Sequence, residues 1–388
     1  MNWSSTTLGE LCDLRNGKAY NANDWSESGY PIIRIQNLND PSKPFNYWPG
    51  TLLKQVHVTA GDLLLAWAGT PGTSFGAHIW KGPEGVLNQH IFKMTLNESK
   101  LTKNWLKFCI NTQILSLISQ AQGGVGLKHV TKGMVEGLNI PLPPLDEQKR
   151  IAAILDKADA IRRKRQQALR LTDELLRSVF LNMFGDPVIN PNGWKTEELG
   201  KVADILTGFA FTSADYVEAG TGIRLCRGAN VMPNHIDWSD RAEWLDGQAP
   251  ELQRYHLIKG DITIAMDRPW ISSGFKMAMI TKADIPSLLV QRVARIRAIS
   301  PINNDFLFCL LGTEAFSRHC KPTETTIPHI SPRELRSFPV IIPDETPLDS
   351  FSKIYAGVAA KRIRMANAVD ESEALFSALQ QRAFRGEL

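Results

Sequence analysis

Long apolar runs are missing from this 388-residue chain. No stretch approaches the roughly 18 apolar residues that a membrane-spanning helix needs, so no membrane partner is expected. The first residues, Met1-Asn2-Trp3-Ser4, lack the basic and then apolar layout of a secretory leader. Cysteine is scarce: Cys12, Cys109, Cys226, Cys309 and Cys320 are odd in number, scattered, and never in CxxC spacing. That pattern argues against a disulfide framework and a zinc site, and points to a reducing cytoplasm. Cys109 and Cys309 fall at matching points of apolar segments and read as core residues. The eight histidines never stand at metal-ligand spacing.

Catalytic tools are missing as well. Gly69-Thr70-Pro71-Gly72-Thr73-Ser74-Phe75-Gly76 is rich in glycine but lacks the GK[ST] ending of a phosphate loop, and reads as a structural or DNA-facing loop. No GxGxxG follows a strand, and no Asn-Pro-Pro-aromatic motif of adenine methyltransferases occurs. Pro343-Asp344-Glu345 with Asp349 and Lys353 resembles a nuclease carboxylate cluster only superficially. Acidic residues at a helix start suit the helix dipole, which is the simpler reading. No catalytic residue, metal site or cofactor of its own is therefore expected. A hydrophobic content of 43% supports ordinary cores, and the length allows two or more of them. The net charge of +4 permits a polyanionic partner without requiring one.

What the chain does have is a second copy of itself. Leu8-Gly9-Glu10-Leu11 returns as Leu199-Gly200-Lys201-Val202, and Gly17 as Gly208. Gly61-Asp62 before an apolar run matches Gly260-Asp261, Phe108-Cys109 matches Phe308-Cys309, and His129 matches His329. The period is too long for a solenoid repeat. It describes a duplicated domain pair with divergent surfaces, suited to a ligand with two different halves.

Each half runs from a globular segment through a proline-rich hinge to a long helix. Tyr30-Pro31-Ile32-Ile33-Arg34-Ile35 and Asp62-Leu63-Leu64-Leu65-Ala66-Trp67 read as strands, and so do Ile223 to Arg227 and Asp261 to Met266. Helices are expected from Trp105 to Ile118 and from Phe306 to Phe316. Prolines in Ile140-Pro141-Leu142-Pro143-Pro144 and in Val340-Ile341-Ile342-Pro343 set an extended approach to each long helix. Leu145 to Phe184 then contains neither Gly nor Pro. Ile151, Ile154, Leu155, Ala158, Ile161, Ala168, Leu169, Thr172, Leu175, Leu176, Val179 and Met183 form one helical stripe. The second copy has a heptad seam: Leu348, Phe351, Tyr355, Val358, Arg362, Met365, Val369, Ser372, Phe376, Leu379 and Ala383. At ~1.5 Å per residue each helix is about 60 Å long, and pairing of the two within the chain is expected to be antiparallel. The expected fold is α+β: two similar mixed α/β domains, 1–144 and 186–344, and two long helices, 145–185 and 345–388, forming an antiparallel coiled coil.

Reading DNA bases calls for forked donors and acceptors on small turns. In the first half the candidates are Arg34, Gln36, Asn37, Trp67, Asn88, Gln89, His90 and Lys128. In the second half they are Arg224, Arg227, Asn230, Arg268, Trp270, Gln291 and Arg292. Asn37 matches Asn230 and Gln89 matches Gln291, while Trp67 falls near Arg268-Pro269-Trp270. Basic clusters on both helices, Arg162-Arg163-Lys164-Arg165 and Lys361-Arg362-Ile363-Arg364, are either solvated faces with local Glu partners or phosphate contacts. In the second case Arg163, Arg165, Arg362 and Arg364 carry the contact.

Three local motifs and the twofold layout resemble the specificity subunit of Type I restriction–modification systems. The motifs are Leu142-Pro143-Pro144-Leu145-Asp146-Glu147-Gln148-Lys149-Arg150-Ile151, Ser178-Val179-Phe180-Leu181-Asn182-Met183-Phe184-Gly185-Asp186-Pro187 and Ala383-Phe384-Arg385-Gly386-Glu387-Leu388. The second hinge departs, with Pro343-Asp344-Glu345-Thr346-Pro347-Leu348-Asp349 in place of a PPLxEQ run. The resemblance implies two target recognition domains, each reading half of a bipartite, asymmetric site in double-stranded DNA. It implies that the helical rod sets the spacer between the halves. It further implies docking of two methyltransferase subunits, with Leu145, Glu147, Gln148, Ile151 and Phe184 at the contact, and of ATP-dependent restriction subunits. S-adenosylmethionine, ATP and Mg would belong to those partners. Two competing readings remain: a free-standing modification or restriction enzyme with an unrecognised active site, and a coiled-coil scaffold indifferent to sequence.

Overall fold

A computed structural model describes residues 3–40, 42–69, 75–120, 128–245, 249–320 and 328–388. The chain divides into two units: unit 1 holds 1–166 and 367–388, and unit 2 holds 167–366.

In unit 1 a four-stranded antiparallel sheet runs in the order Cys12–Asn16, Ile91–Leu96, Leu63–Ala66, Gly76–Ile79. A second sheet runs Asn46–Trp48, Tyr30–Ile33, Gly85–Leu87, His57–Val58, with one parallel pair in it. Leu63 to Ala66 are all buried because this central strand is covered on both faces, which explains its unbroken apolar run. The extended reading of Arg34-Ile35 gives way to a short helix, Ile35–Asn39, whose start is closed by Asn37 Oδ1 accepting from Arg34 N. Helix Lys103–Gln120 lies beside the strand Gly76–Ile79. Ser4–Thr7 pairs antiparallel with Asn139–Leu142, so the first hinge proline, Pro141, sits in a two-stranded ribbon opposite Ser5.

Unit 2 repeats this plan. Its main sheet runs Ala203–Thr207, Val293–Ala298, Ile262–Ala265, Met277–Met279, and Lys195–Glu198 pairs with Pro339–Ile342. A three-stranded sheet runs Glu243–Trp244, Ile223–Cys226, Ser287–Leu289, the last pair parallel. The helix expected over Phe306 to Phe316 is two pieces, Asn304–Leu311 and Glu314–His319. Gly312 ends the first by donating to Phe308 O at 3.2 Å.

The repeated sequence signatures have physical reasons. A Cβ on Gly17 would stand 2.2 Å from the carbonyl oxygens of Leu87 and Asn88, and one on Gly208 would stand 2.2 Å from the Val290 carbonyl. Only glycine fits that close backbone approach. Gly61 and Gly260 turn at φ +92° and +94°. The aspartate after each one closes the turn, with Asp62 accepting from Thr59 N at 2.8 Å and Asp261 from Ile258 N at 2.9 Å. Each aspartate also holds a cation of the neighbouring strand, Lys93 or Arg297, at 2.7 Å.

The long helices span Leu145–Phe184 and Glu345–Arg385. Within unit 1 the opening turns of the first lie against the closing turns of the second, since Arg150 reaches Leu388 O at 2.6 Å and Arg162 reaches Glu373 at 3.1 Å. Within unit 2 the pairing is likewise antiparallel, with Thr172 facing Met365 and Arg362 facing Asp173. All eleven heptad positions of the second helix are buried or half-buried. The stripe read for the first helix needs correction at Ile161 and Leu175, which are exposed. Between its apolar ends the seam turns polar. Asp159 is buried, Arg162 spans Asp159 and Glu373, and Gln166 donates to Glu373 at 2.6 Å.

Candidate nucleic-acid interface

The two units expose equivalent turns beside their central strands. In unit 1 the backbone of Trp67 donates to His90 O at 3.3 Å and accepts from Val130 N at 3.0 Å. In unit 2 Met266 donates to Arg292 O at 2.8 Å and accepts from Ile330 N at 2.8 Å. The same hydrogen-bond frame therefore aligns Trp67 with Met266, Ala68 with Asp267, Gly69 with Arg268, and Gln89-His90 with Gln291-Arg292. The backbone is shared and, apart from the common glutamine, the side chains differ.

Several sequence candidates gather at these turns. Gln291, Arg268 and Arg292 are exposed. Arg268 and Arg292 adopt left-handed backbone, at φ +45° and +66°. Asp267, which the sequence reading missed, places its carboxylate 3.7 Å from Arg292 Nε. Arg292 lies in a separate turn, just before the strand Val293–Ala298, so only the fold brings the pair together. Trp67 stacks on Phe92 and meets His90 edge-on, and Gln89 is half-buried with its Oε1 enclosed. Lys128 pairs with Gly69 through its backbone, and its side chain lies outside the described residues, as does the loop 70–74.

Asn37, Asn88 and Asn230 are corrected to internal roles, and the remaining candidates make contacts within their own unit. Asn37 and Asn230 are fully buried and spend their amides on neighbouring loops: Asn37 donates to Lys43 O, Asn230 to Asp237 O and Asp240 O. Asn88 is buried in the turn, where unit 2 has Val290. Arg224 lies over the Trp238 ring and donates to Ala283 O, and burial lowers its pKa. Arg227 binds Asp240, and Trp270 stacks on Phe275 at the rim of the unit 2 core. Arg34 lies over the Trp25 ring, while Gln36 is exposed and donates to Pro44 O at 3.4 Å.

On the helices much of the basic clusters is engaged, by aspartates and a carbonyl in place of the local glutamates expected. Arg163 binds Asp159 at 2.6 Å, Arg165 donates to Ala368 O, and Arg362 binds Asp173 at 2.6 Å. Burial alone would raise the Asp159 pKa, but hydrogen bonds from Arg162 and Arg163 overcome it and hold the carboxyl low. Arg163, Arg165 and Arg364 remain on the surface.

The docking candidates split in the same way. Gln148 is fully buried, accepting from Thr102 N and donating to Lys100 O and Pro143 O. Ile151 lies in the unit 1 core, and Phe184 packs against Phe180, Phe306 and Phe351 in unit 2. These three are fold residues. Leu145 and the Glu147–Arg150 pair are accessible. In the departing second hinge, buried Leu348 occupies the place of Gln148.

Duplicated α/β units that present different side chains from one turn frame define a two-part recognition protein. Residues 1–171 match the family described as Type I restriction modification DNA specificity domain. The chain is 26% identical to the Type I restriction enzyme MjaVIII specificity subunit of Methanocaldococcus jannaschii, over 82% of this chain and 76% of that one. It is 30% identical to the Escherichia coli EcoAI specificity subunit, over 63% of this chain and 41% of that one. The crystal structure of a Type I restriction–modification S subunit from M. genitalium shares the fold, with a TM-score of 0.58 at 14% identity, covering 98% and 96% of the two chains. The first 171 residues thus match the Type I specificity-domain family, and the chain as a whole is similar to specificity subunits of Type I restriction–modification systems.

Proposed function

We propose that this chain is the non-catalytic DNA-recognition subunit of a Type I restriction–modification complex, acting in the cytoplasm. Each unit reads one half of a bipartite site in double-stranded DNA, and the paired helices set the spacer. The observation that carries this reading is the shared turn frame with divergent side chains: around a common glutamine, Trp67, Gly69 and His90 of one unit stand where the other has Met266, Arg268 and Arg292. Such a frame holds position constant while letting specificity vary. Two methyltransferase subunits dock near Leu145 and Glu147 and supply S-adenosylmethionine chemistry, and restriction subunits supply the steps that use ATP and Mg. Exposed Arg163, Arg165 and Arg364 contribute sequence-independent attraction to phosphates.

The test is a domain exchange. Replacing residues 1–144 by the equivalent segment of a relative should change one half of the methylated motif in host DNA and leave the other intact. Change in both halves, or in neither, defeats independent reading. Modification or cleavage of DNA by the purified chain alone would establish the competing enzyme reading.

A further inference from the structure

We propose that Arg268 and Arg292 together form a guanine-reading element confined to unit 2, an inference that rests on the DNA-recognition function proposed above. Both arginines are exposed, and both stand in left-handed backbone that L side chains rarely adopt. Their turns are fastened to each other and to the segment around His329: Met266 N donates to Arg292 O, Arg268 N donates to Pro328 O at 2.8 Å, and Asp267 bridges to His329. The frame thus holds two strained residues side by side where glycine would be relaxed, and unit 1 does have glycine at the position of Arg268. An observed outlier of this kind points to a role for the side chain it presents. Phosphate contact would not need it, because any flexible surface cation serves. Bidentate contact with guanine N7 and O6 does need a planar fork held at a fixed angle. Asp267 stands 3.7 Å from Arg292 Nε, close enough to draw the guanidinium to this side of the turn and too far to hydrogen-bond it, so its nitrogens remain open to a base. Unit 1 presents Gly69 and His90 at the same two places, so its half-site is read by other chemistry.

The experiment offers the full chain, assembled with its modification subunits, a pool of random-sequence duplex DNA and reads the retained sequences. Thermal midpoints are measured in parallel. The wild type should retain a two-part consensus. Arg268→Gly and Arg292→Gly should each lose preference for guanine at one position of a single part, roughly 10- to 100-fold, and leave the other part unchanged. Their thermal midpoints should stay level or rise, because glycine accepts positive φ without strain. Arg292→Lys should keep overall affinity while losing most of the preference, since an ammonium cannot make the fork. An unchanged consensus in both glycine variants overturns the proposal, and so does an equal loss on all sequences, which marks a phosphate contact. A lowered midpoint with the consensus intact overturns it too, by making the arginines structural. A wild type that retains no consensus defeats the DNA-recognition function itself.

Discussion

Gln148 and Leu348 occupy the same place at the start of the two long helices and fill it by opposite chemistry. Gln148 satisfies two carbonyls and one amide of unit 1, whereas Leu348 is simply apolar. Gln148→Leu keeps the volume but strands those backbone groups, and should cost on the order of 2 kcal/mol. A urea midpoint indistinguishable from wild type would refute that role. His78 gives a pH-dependent counterpart in unit 1. Its Nε2 is enclosed, and burial, aided by the charges of Arg163 and Lys107, pushes the imidazole pKa down to about 4. A folded-state pKa below the unfolded one means that the unfolded chain takes up the proton first. Stability is therefore complete above about pH 6.5 and falls as pH drops toward 4, by at most about 3 kcal/mol. His78→Leu should flatten the stability profile of unit 1 between pH 6.5 and 4.5. An unaltered slope would show that other groups govern the acid limb.

The heptad seam of the second helix was legible position by position, because it is a nearly pure apolar repeat at steps of three and four. The first helix was legible in part: Ala168, Leu169 and Thr172 were placed at the seam along with both ends, and Ile161 and Leu175 were not. Its middle carries Asp159, Arg162 and Gln166 at the interface, and a reading by hydrophobicity passes over them in favour of Ile161 and Leu175, which face solvent. Partners such as Glu373 lie more than 200 residues away, beyond the reach of local pattern. The same limit applied to the turns. Gln291, Arg268 and Arg292 could be named from residue type and repeat position, while burial of Asn37 and Asn230 depended on which loops close over them. The polar seam makes its own prediction. Arg162→Ala and Glu373→Ala should show a coupling of about 1 kcal/mol in a double-mutant cycle, shrinking as salt rises, since both side chains remain partly exposed. Strict additivity at low salt would mean that the pair contributes nothing beyond its separate contacts.

At the scale of the whole molecule, both long helices pass from one unit into the other, between Gln166 and Gln167 and between Ala366 and Asn367. If the helix pair sets the spacer, one added heptad at each of these points preserves the seam, because seven residues restore the same face. It adds about 10 Å at ~1.5 Å per residue, or roughly three base pairs of DNA at about 3.4 Å each. The preferred spacer should grow by that amount while both half-sites stay fixed. A folded double insert that binds DNA at the original spacing would rule out this role. A heptad in one helix alone should cost stability, since it breaks register with its partner.

The ribbon that closes each globular segment also fixes how it responds to force. In unit 2 the strand Lys195–Glu198 comes after the first long helix and Pro339–Ile342 leads into the second, with Lys195 and Ile342 as register partners. Tension drawing the two helices apart at this junction loads one residue pair at a time, so the ribbon peels from Lys195–Ile342 toward Glu198–Pro339. Pulled from Glu198 against Ile342, the four pairs share the load in shear. The ribbon is therefore mechanically anisotropic, and pulling along the two axes should give a lower rupture force for peeling than for shear.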